Sequence, residues 1–129
     1  MNLPIRVLVT GAGGFIGSHL VTSLKKKGYW VRGADIKAPE FSPSDADEFQ
    51  LLDLRRRDNC LRATAGVDEV YALAADMGGM GFISAHHAQI LYNNSLINLH
   101  TLDTARENGV TRYLYTSSAC IYPEHLQED

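Results

Sequence analysis

Cysteine is scarce in this chain, with Cys60 and Cys120 the only two in 129 residues. Two thiols cannot staple a small scaffold, so a disulfide-built fold is excluded. Long apolar runs are missing as well. None approaches the roughly 20 residues needed to cross a bilayer, which excludes a transmembrane helix. Neither sign of charge dominates: 12 basic residues stand against 15 acidic ones, for a net charge of −3. That balance argues against a nucleic-acid partner. Met1-Asn2-Leu3-Pro4 carries no export pattern and leads straight into a strand-like run, which predicts a cytoplasmic protein with reduced thiols. Lysine does not occur after Lys37, an absence with chemical consequences below. What remains is ordinary for a soluble domain: 45% hydrophobic and 21% charged residues, enough apolar content for a core. The length matches one domain, since domains cluster at roughly 100–150 residues.

The order of elements is legible from periodicity and turn residues. Ile5–Val9 is a short apolar run that ends at Thr10-Gly11 and reads as a buried strand. Phe15–Lys27 reads as a helix with Ile16, Leu20 and Leu24 on its apolar face. Lys25-Lys26-Lys27 suits the negative end of that helix as a solvated terminus, and Gly28 stops it. Tyr29–Ala34 is a second strand ending at Asp35. Ala38–Glu48, with Pro39 and Pro43, is a surface loop. Phe49–Leu52 is a third strand ending at Asp53, Asp58–Thr64 a short helix, and Val67–Ala74 a fourth strand. A glycine-rich loop, Met77–Gly81, follows. Ser84–Asn108 is a long helix, with Ile83, Ile90, Ile97 and Thr104 on one stripe and Leu91, Leu102 and Ala105 beside it. Gly109 ends it, and Arg112–Thr116 is a fifth strand. Strands alternating with helices predict a parallel sheet covered on both faces. Right-handed crossovers make it a doubly wound α/β fold of Rossmann type, strand order 3-2-1-4-5.

The chemistry starts where the first strand meets the first helix. Gly11, Gly14 and Gly17 form G-x-x-G-x-x-G across that junction. Backbone without side chains lets a pyrophosphate approach, and the positive end of the following helix holds it. A structural turn would also use glycines, but a position directly after the first strand favours dinucleotide binding, with Phe15 and Ile16 inside the same loop. Asp35 ends the second strand, 18 positions after Gly17. An acid there hydrogen-bonds the adenosine ribose hydroxyls and repels a 2′-phosphate, which predicts NAD rather than NADP. Lys37 and Arg32 nearby pull the other way. Asp53, with Leu54, ends the third strand either beside the adenine or as an exposed loop acid. Arg55-Arg56-Arg57 reads as a solvated helix entrance rather than a phosphate patch. Cys60 has no supporting motif and reads as a structural cysteine.

Thr10–Gly17 with Asp35, Leu73-Ala74-Ala75 after the fourth strand and Asn94-Ser95-Leu96-Ile97-Asn98 in the long helix resemble the extended short-chain dehydrogenase/reductase superfamily. Two stretches narrow the resemblance. Ala74–Ile83, with its Asp76-Met77-Gly78-Gly79-Met80-Gly81 run, and Ser117–Pro123 look like the GDP-mannose 3,5-epimerase family. The likeness runs from Thr10 to the C-terminus, except for Lys37–Glu48. The GDP-fucose synthase family shares a similar loop and fifth-strand end, but consumes NADPH, for which Asp35 is the wrong residue.

This resemblance implies a redox-neutral epimerisation of a GDP-mannose-like nucleotide sugar with a recycled NAD. Hydride leaves C4, the ketone so formed acidifies the C3 and C5 protons, an acid/base pair exchanges them, and hydride returns. Cys120 matches the family's acid/base cysteine, and a thiol with a free pKa of about 8.5 suits both roles. Ser118 matches the serine that hydrogen-bonds the reacting hydroxyl. Gly78 and Met77 match the loop over the sugar, together with Met80. Gly11, Gly14, Phe15, Ile16, Gly17, Asp35, Asp53, Leu54, Leu73, Ala74 and Ala75 match the NAD contacts. His86 and His87 read as surface or cap residues, so no metal site is expected. The superfamily's Tyr-x-x-x-Lys pair is not found: positions four after the six tyrosines hold Gly33, Ala75, Leu96, Ser117, Ala119 and Leu126. The chain is therefore expected to be the N-terminal NAD-binding portion of a longer enzyme, lacking the C-terminal strands and substrate domain and inactive alone. The other reading is a stand-alone dinucleotide-binding module. The long helix is expected to support a homodimer or higher association.

Overall fold

The computed structural model describes residues 3–76 and 87–116. Its elements are β1 (Arg6–Thr10), α1 (Phe15–Lys26), β2 (Trp30–Asp35), β3 (Glu48–Leu51), α2 (Arg57–Thr64), β4 (Glu69–Ala72), α3 (His87–Glu107) and β5 (Arg112–Tyr115). The five strands pair in parallel in the order β3-β2-β1-β4-β5. β1 is central: Val9 faces Gly33 on one side and Tyr71 on the other.

Alternation along β1 divides two apolar layers. Val7 and Val9 point to a cluster with Val21 and Leu24 of α1 and Val31 of β2. Leu8 points the opposite way, into a cluster with Cys60 and Ala63 of α2, Val70 of β4 and Ala105 of α3. One helix thus covers one face and two cover the other, the arrangement that buries both sides of a parallel sheet. Positive φ at Gly28 and Gly109 marks the glycine stops after α1 and α3.

Several details differ from the sequence reading. β4 leaves the ladder at Ala72 rather than Ala74, because the next two N–H groups, of Leu73 and Ala74, donate to the Thr10 hydroxyl at 3.0 and 3.1 Å. On α1, Leu24 is buried and Leu20 packs against the same cluster as expected, but Gly17 and Val21 complete the buried face and Ile16 is 69% exposed. Gly17 sets that rotation by packing on the Gly11 backbone. In α3, Thr104 and Ala105 are buried as expected and Ile97 packs against the core, but Leu91 and Leu102 face outward. Asn93 and Thr101 take buried places instead. Ile83 lies outside the described residues. Lys25 is no solvated terminus: its ammonium donates to the Tyr29 carbonyl and pairs with Asp47 at 2.8 Å.

At the edge of the sheet where the strands begin, Arg6 stacks over Trp30 at 3.7 Å and Arg32 lies 5.4 Å from the same ring. Arg32 is almost fully buried. Its guanidinium donates to the carbonyls of Ala63 and Ala65 at the end of α2 and pairs with Glu48. That placement takes Arg32 away from the strand ends where a ligand would lie.

Candidate functional site

The C-terminal ends of β1, β2, β3 and β4 converge on an open cleft of about 560 Å³. Such a crevice outside the strand ends is where open α/β sheets bind ligands. Its floor is the turn from β1 to α1. Gly11 holds φ +73°, and a Cβ there would lie 2.9 Å from the Leu73 carbonyl carbon and the Ala74 nitrogen. The turn thus presses directly against the β4 exit. A Cβ on Gly13 would strike the Lys37 carbonyl oxygen and come within 2.9 Å of Asp35 Oδ2. The Gly13 N–H donates to that same oxygen at 2.8 Å. Asp35 Oδ1 accepts the Ile36 N–H at 2.6 Å. With the Lys37 N–H reaching Oδ1 at 3.4 Å, three backbone donors fix the Asp35 carboxylate, leaving its remaining acceptor capacity for the cleft it lines.

Gly14 is the N-cap of α1. No side chain caps that helix end and no acid stands in its first turn. First-turn N–H groups have no intrahelical partner, so α1 offers uncompensated donors and the positive end of its dipole beside the cleft. Across from it, Asp53 lines the opposite wall. Its carboxylate accepts the Arg55 N–H at 3.0 Å and pairs with the Arg55 guanidinium at 2.7 Å. That guanidinium, helped by the backbone donor against a smaller opposing effect of burial, holds the Asp53 carboxyl below its ordinary value.

The structure brings eight of the residues singled out from sequence onto one cleft: Gly11, Gly14, Asp35, Asp53, Leu54, Leu73, Ala74 and Ala75. Phe15 and Ile16 stand exposed on the first turn of α1 and do not line it, and Gly17 is buried beneath the turn. Met77, Gly78, Met80, Ser118 and Cys120 lie outside the described residues. Ile36, Lys37, Leu52, Arg55, Asp76 and Ile97 line the cleft without having been singled out as ligand contacts. Most of them flank a residue that was, which is the signal that finds them. Cys60 is buried, donates its thiol to the Leu54 carbonyl at 3.1 Å and faces the Thr101 hydroxyl at 3.7 Å. Burial pushes that thiol up, away from reactivity.

Residues 7–129 match the NAD-dependent epimerase/dehydratase family. The chain belongs to that family. It is 54% identical to GDP-mannose 3,5-epimerase 1 of Oryza sativa subsp. japonica, over 95% of this chain and 33% of the relative. It is 31% identical to GDP-L-fucose synthase of Escherichia coli K12, over 92% of this chain and 34% of that one. Among solved structures, MoeE5 in complex with UDP-glucose and NAD superposes with a TM-score of 0.79 at 31% identity, covering 92% of this chain and 38% of that one. The chain thus spans about a third of the length of the curated relatives it matches. The uncapped end of α1 and the fixed Asp35 carboxylate fit a dinucleotide of the family's kind. Among the described residues, no helix is long and apolar enough to cross a membrane.

Proposed function

We propose that this chain is the cofactor-binding part of a nucleotide-sugar epimerase acting on GDP-mannose, with residues 1–129 forming its NAD-binding domain. The observation that carries the reading is the 54% identity to the rice 3,5-epimerase across 95% of the chain. The cleft supports it residue by residue. Gly11, Gly14 and the first-turn donors of α1, from Phe15, Ile16 and Gly17, hold the pyrophosphate. Asp35 accepts hydrogen bonds from the adenosine ribose hydroxyls. Asp53 and Leu54 flank the adenine, and Leu73, Ala74 and Ala75 border the other half of the dinucleotide. Bound there, NAD supplies a reversible hydride acceptor for C4 of the sugar. Ser118 orients the reacting hydroxyl, the Cys120 thiol moves a proton at a neighbouring ring carbon, and Met77 and Gly78 cover the sugar.

Calorimetric titration of the 129-residue chain tests the cofactor half of this reading. NAD is expected to bind at least tenfold tighter than NADP, because the Asp35 carboxylate repels a 2′-phosphate. Tighter binding of NADP would instead favour a reductase like GDP-L-fucose synthase. Incubation with GDP-mannose tests the other half. The chain alone is expected to yield no epimerised product, since its sequence contains no Tyr-x-x-x-Lys pair. Turnover by the purified chain overturns that expectation. Self-association belongs to the same proposal: Leu91, Tyr92, Leu99 and Leu102 are all more than half exposed on α3 and fall on one side of it at helical spacing. Sedimentation that stays monomeric as concentration rises rules it out.

A further inference from the structure

We propose that Asn59 and Cys60 of α2 position the adenine wall of the cofactor cleft, and with it the Asp53 carboxylate. The proposal rests on the cofactor reading above and gives a role to a buried thiol that the proposed chemistry leaves unused. β3 ends at Leu51, yet the next four residues, Leu52 to Arg55, all line the cleft. Leu52 still bonds to the sheet, its N–H donating to the Asp35 carbonyl at 2.9 Å. Beyond it α2 takes over. Asn59 Nδ2 donates to the Asp53 carbonyl at 2.9 Å, beside the Arg56 N–H at 3.2 Å. The Cys60 thiol donates to the Leu54 carbonyl at 3.1 Å. A thiol has one hydrogen, so the Thr101 hydroxyl of α3, 3.7 Å away, donates to the sulfur.

A trans peptide points its C=O and N–H in opposite directions. With the Leu54 carbonyl turned into α2, the Arg55 N–H of the same peptide faces the other way, where it donates to Asp53 Oδ1 at 3.0 Å. The thiol thus aims a carboxylate that it does not touch. Cys60 is fully buried in a cluster with Leu54, Ala63 and Val70. Cysteine suits that place, being a small apolar side chain that still carries a weak donor, and burial keeps the donor protonated. Leu54 is itself 4% exposed, so its carbonyl would be costly to leave without a partner. Neither Asn59 nor Cys60 lines the cleft, and their influence on a ligand passes through Asp53 and Leu54. Both are positioning residues.

The test compares four variants of the 129-residue chain. Cys60→Ala and Asn59→Ala each free one of the two carbonyls, and Cys60→Ser keeps a donor to Leu54. Asn108→Ala removes the bonds from Asn108 Nδ2 to the Leu61 carbonyl and the Thr64 hydroxyl. It loosens the far end of α2 and leaves Asp53 and Leu54 held. Each is titrated calorimetrically with NAD and with its hypoxanthine analogue, in which a carbonyl that a carboxylate repels replaces the adenine amine. Wild type is expected to prefer NAD about tenfold. Cys60→Ala and Asn59→Ala are expected to bind NAD about tenfold more weakly and to lose most of that preference, the scale of one or two hydrogen bonds. Cys60→Ser should recover most of both. Asn108→Ala should lower the unfolding midpoint with affinity and preference unchanged. Wild-type affinity and preference in Cys60→Ala overturn the proposal. So does an equal loss in Asn108→Ala, which would mark the effect as general destabilisation, and so does a wild type that binds the two dinucleotides alike. A wild-type chain that binds neither dinucleotide refutes the cofactor reading on its own. The Raman S–H band that disappears in Cys60→Ala then decides the thiol's part. It lies below the frequency of a free thiol if Cys60 holds Leu54, and a band at the free-thiol frequency overturns that part too.

Discussion

Gly17 carries no side chain for a reason of packing rather than of dihedral freedom. A Cβ there would run into the Gly11 carbonyl oxygen and lie 2.8 Å from the Gly11 carbon and 3.0 Å from Ala12 Cα. All three are backbone atoms, which cannot swing aside as the tip of a side chain does. Gly17→Ala is expected to cost about 2–3 kcal/mol, the upper part of the range for overpacking, read as a lower urea midpoint at unchanged slope. An alanine variant as stable as its parent contradicts this packing account. Tyr113 gives a second expectation. Burial pushes its phenol up to about 12 from an ordinary 10.0, and its hydroxyl has no partner among the described residues. As pH rises above 10.0 the unfolded chain ionises first, so stability is intact below that pH and is lost as pH rises through about 12. Tyr113→Phe should remove that part of the alkaline decline, and equal slopes in the two proteins would contradict it. Residue by residue, the sequence was a partial guide. The spacing of Gly11, Gly14 and Gly17 located the turn, because at Gly11 and Gly17 a side chain would strike neighbouring backbone. It could not say that Gly17 faces the turn while Gly11 and Gly14 face the cleft, since that division depends on how α1 lies on β1.

The elements were legible in type and order because each has its own period and its own stop residue. Errors collected where polar side chains do the packing. In α3, hydrophobicity pointed to Leu91 and Leu102, but Asn93 and Thr101 are buried because Asp76 and Cys60 supply them with partners. Hydropathy weighs a residue without its partner, so a satisfied amide looks like a surface residue. The Ala38–Glu48 loop shows the same blindness. It matches no motif, yet Asp45 accepts a hydrogen bond from the Thr22 hydroxyl, and Asp47 pairs with Lys25 and accepts the Val31 N–H at 2.7 Å. These bonds tie the loop to α1 and β2. Burial pushes the Asp47 carboxyl up, but the Lys25 ammonium and the Val31 N–H together outweigh it, and the carboxyl ends below its ordinary 3.8. Its contribution is therefore present above pH 3.8 and is lost as pH falls through the lower native value. We expect wild type to exceed Asp47→Asn by about 1 kcal/mol at neutral pH, a modest figure for a partly exposed pair. That advantage should vanish in acid, as chemical denaturation across the pH range would show. A difference that persists unchanged at pH 2 would contradict the ion-pair account.

At the scale of the molecule, alternation of elements was enough to predict the strand order, because right-handed crossovers leave few ways to wind five parallel strands. The cleft was legible only along the chain. Asp35, Asp53 and the residues after β4 were found because each follows the end of a strand. Lys37, Arg55 and Asp76 lie a few positions further on, and only the closing of the sheet brings them onto the same walls. The Thr10 hydroxyl, which joins the end of β1 to Leu73 and Ala74, has a kinetic consequence. Parallel pairing contains no hairpin, so β1 meets β4 only after a long loop is closed, a slow and late event in folding. The wall that this hydroxyl secures is then missing from any half-formed state, and such a state has nothing with which to grip a dinucleotide. Stopped-flow mixing should accordingly find that saturating NAD slows unfolding by the full factor of its stabilisation and leaves the refolding rate unchanged. Accelerated refolding would mean instead that β1 and β4 already meet at the top of the barrier.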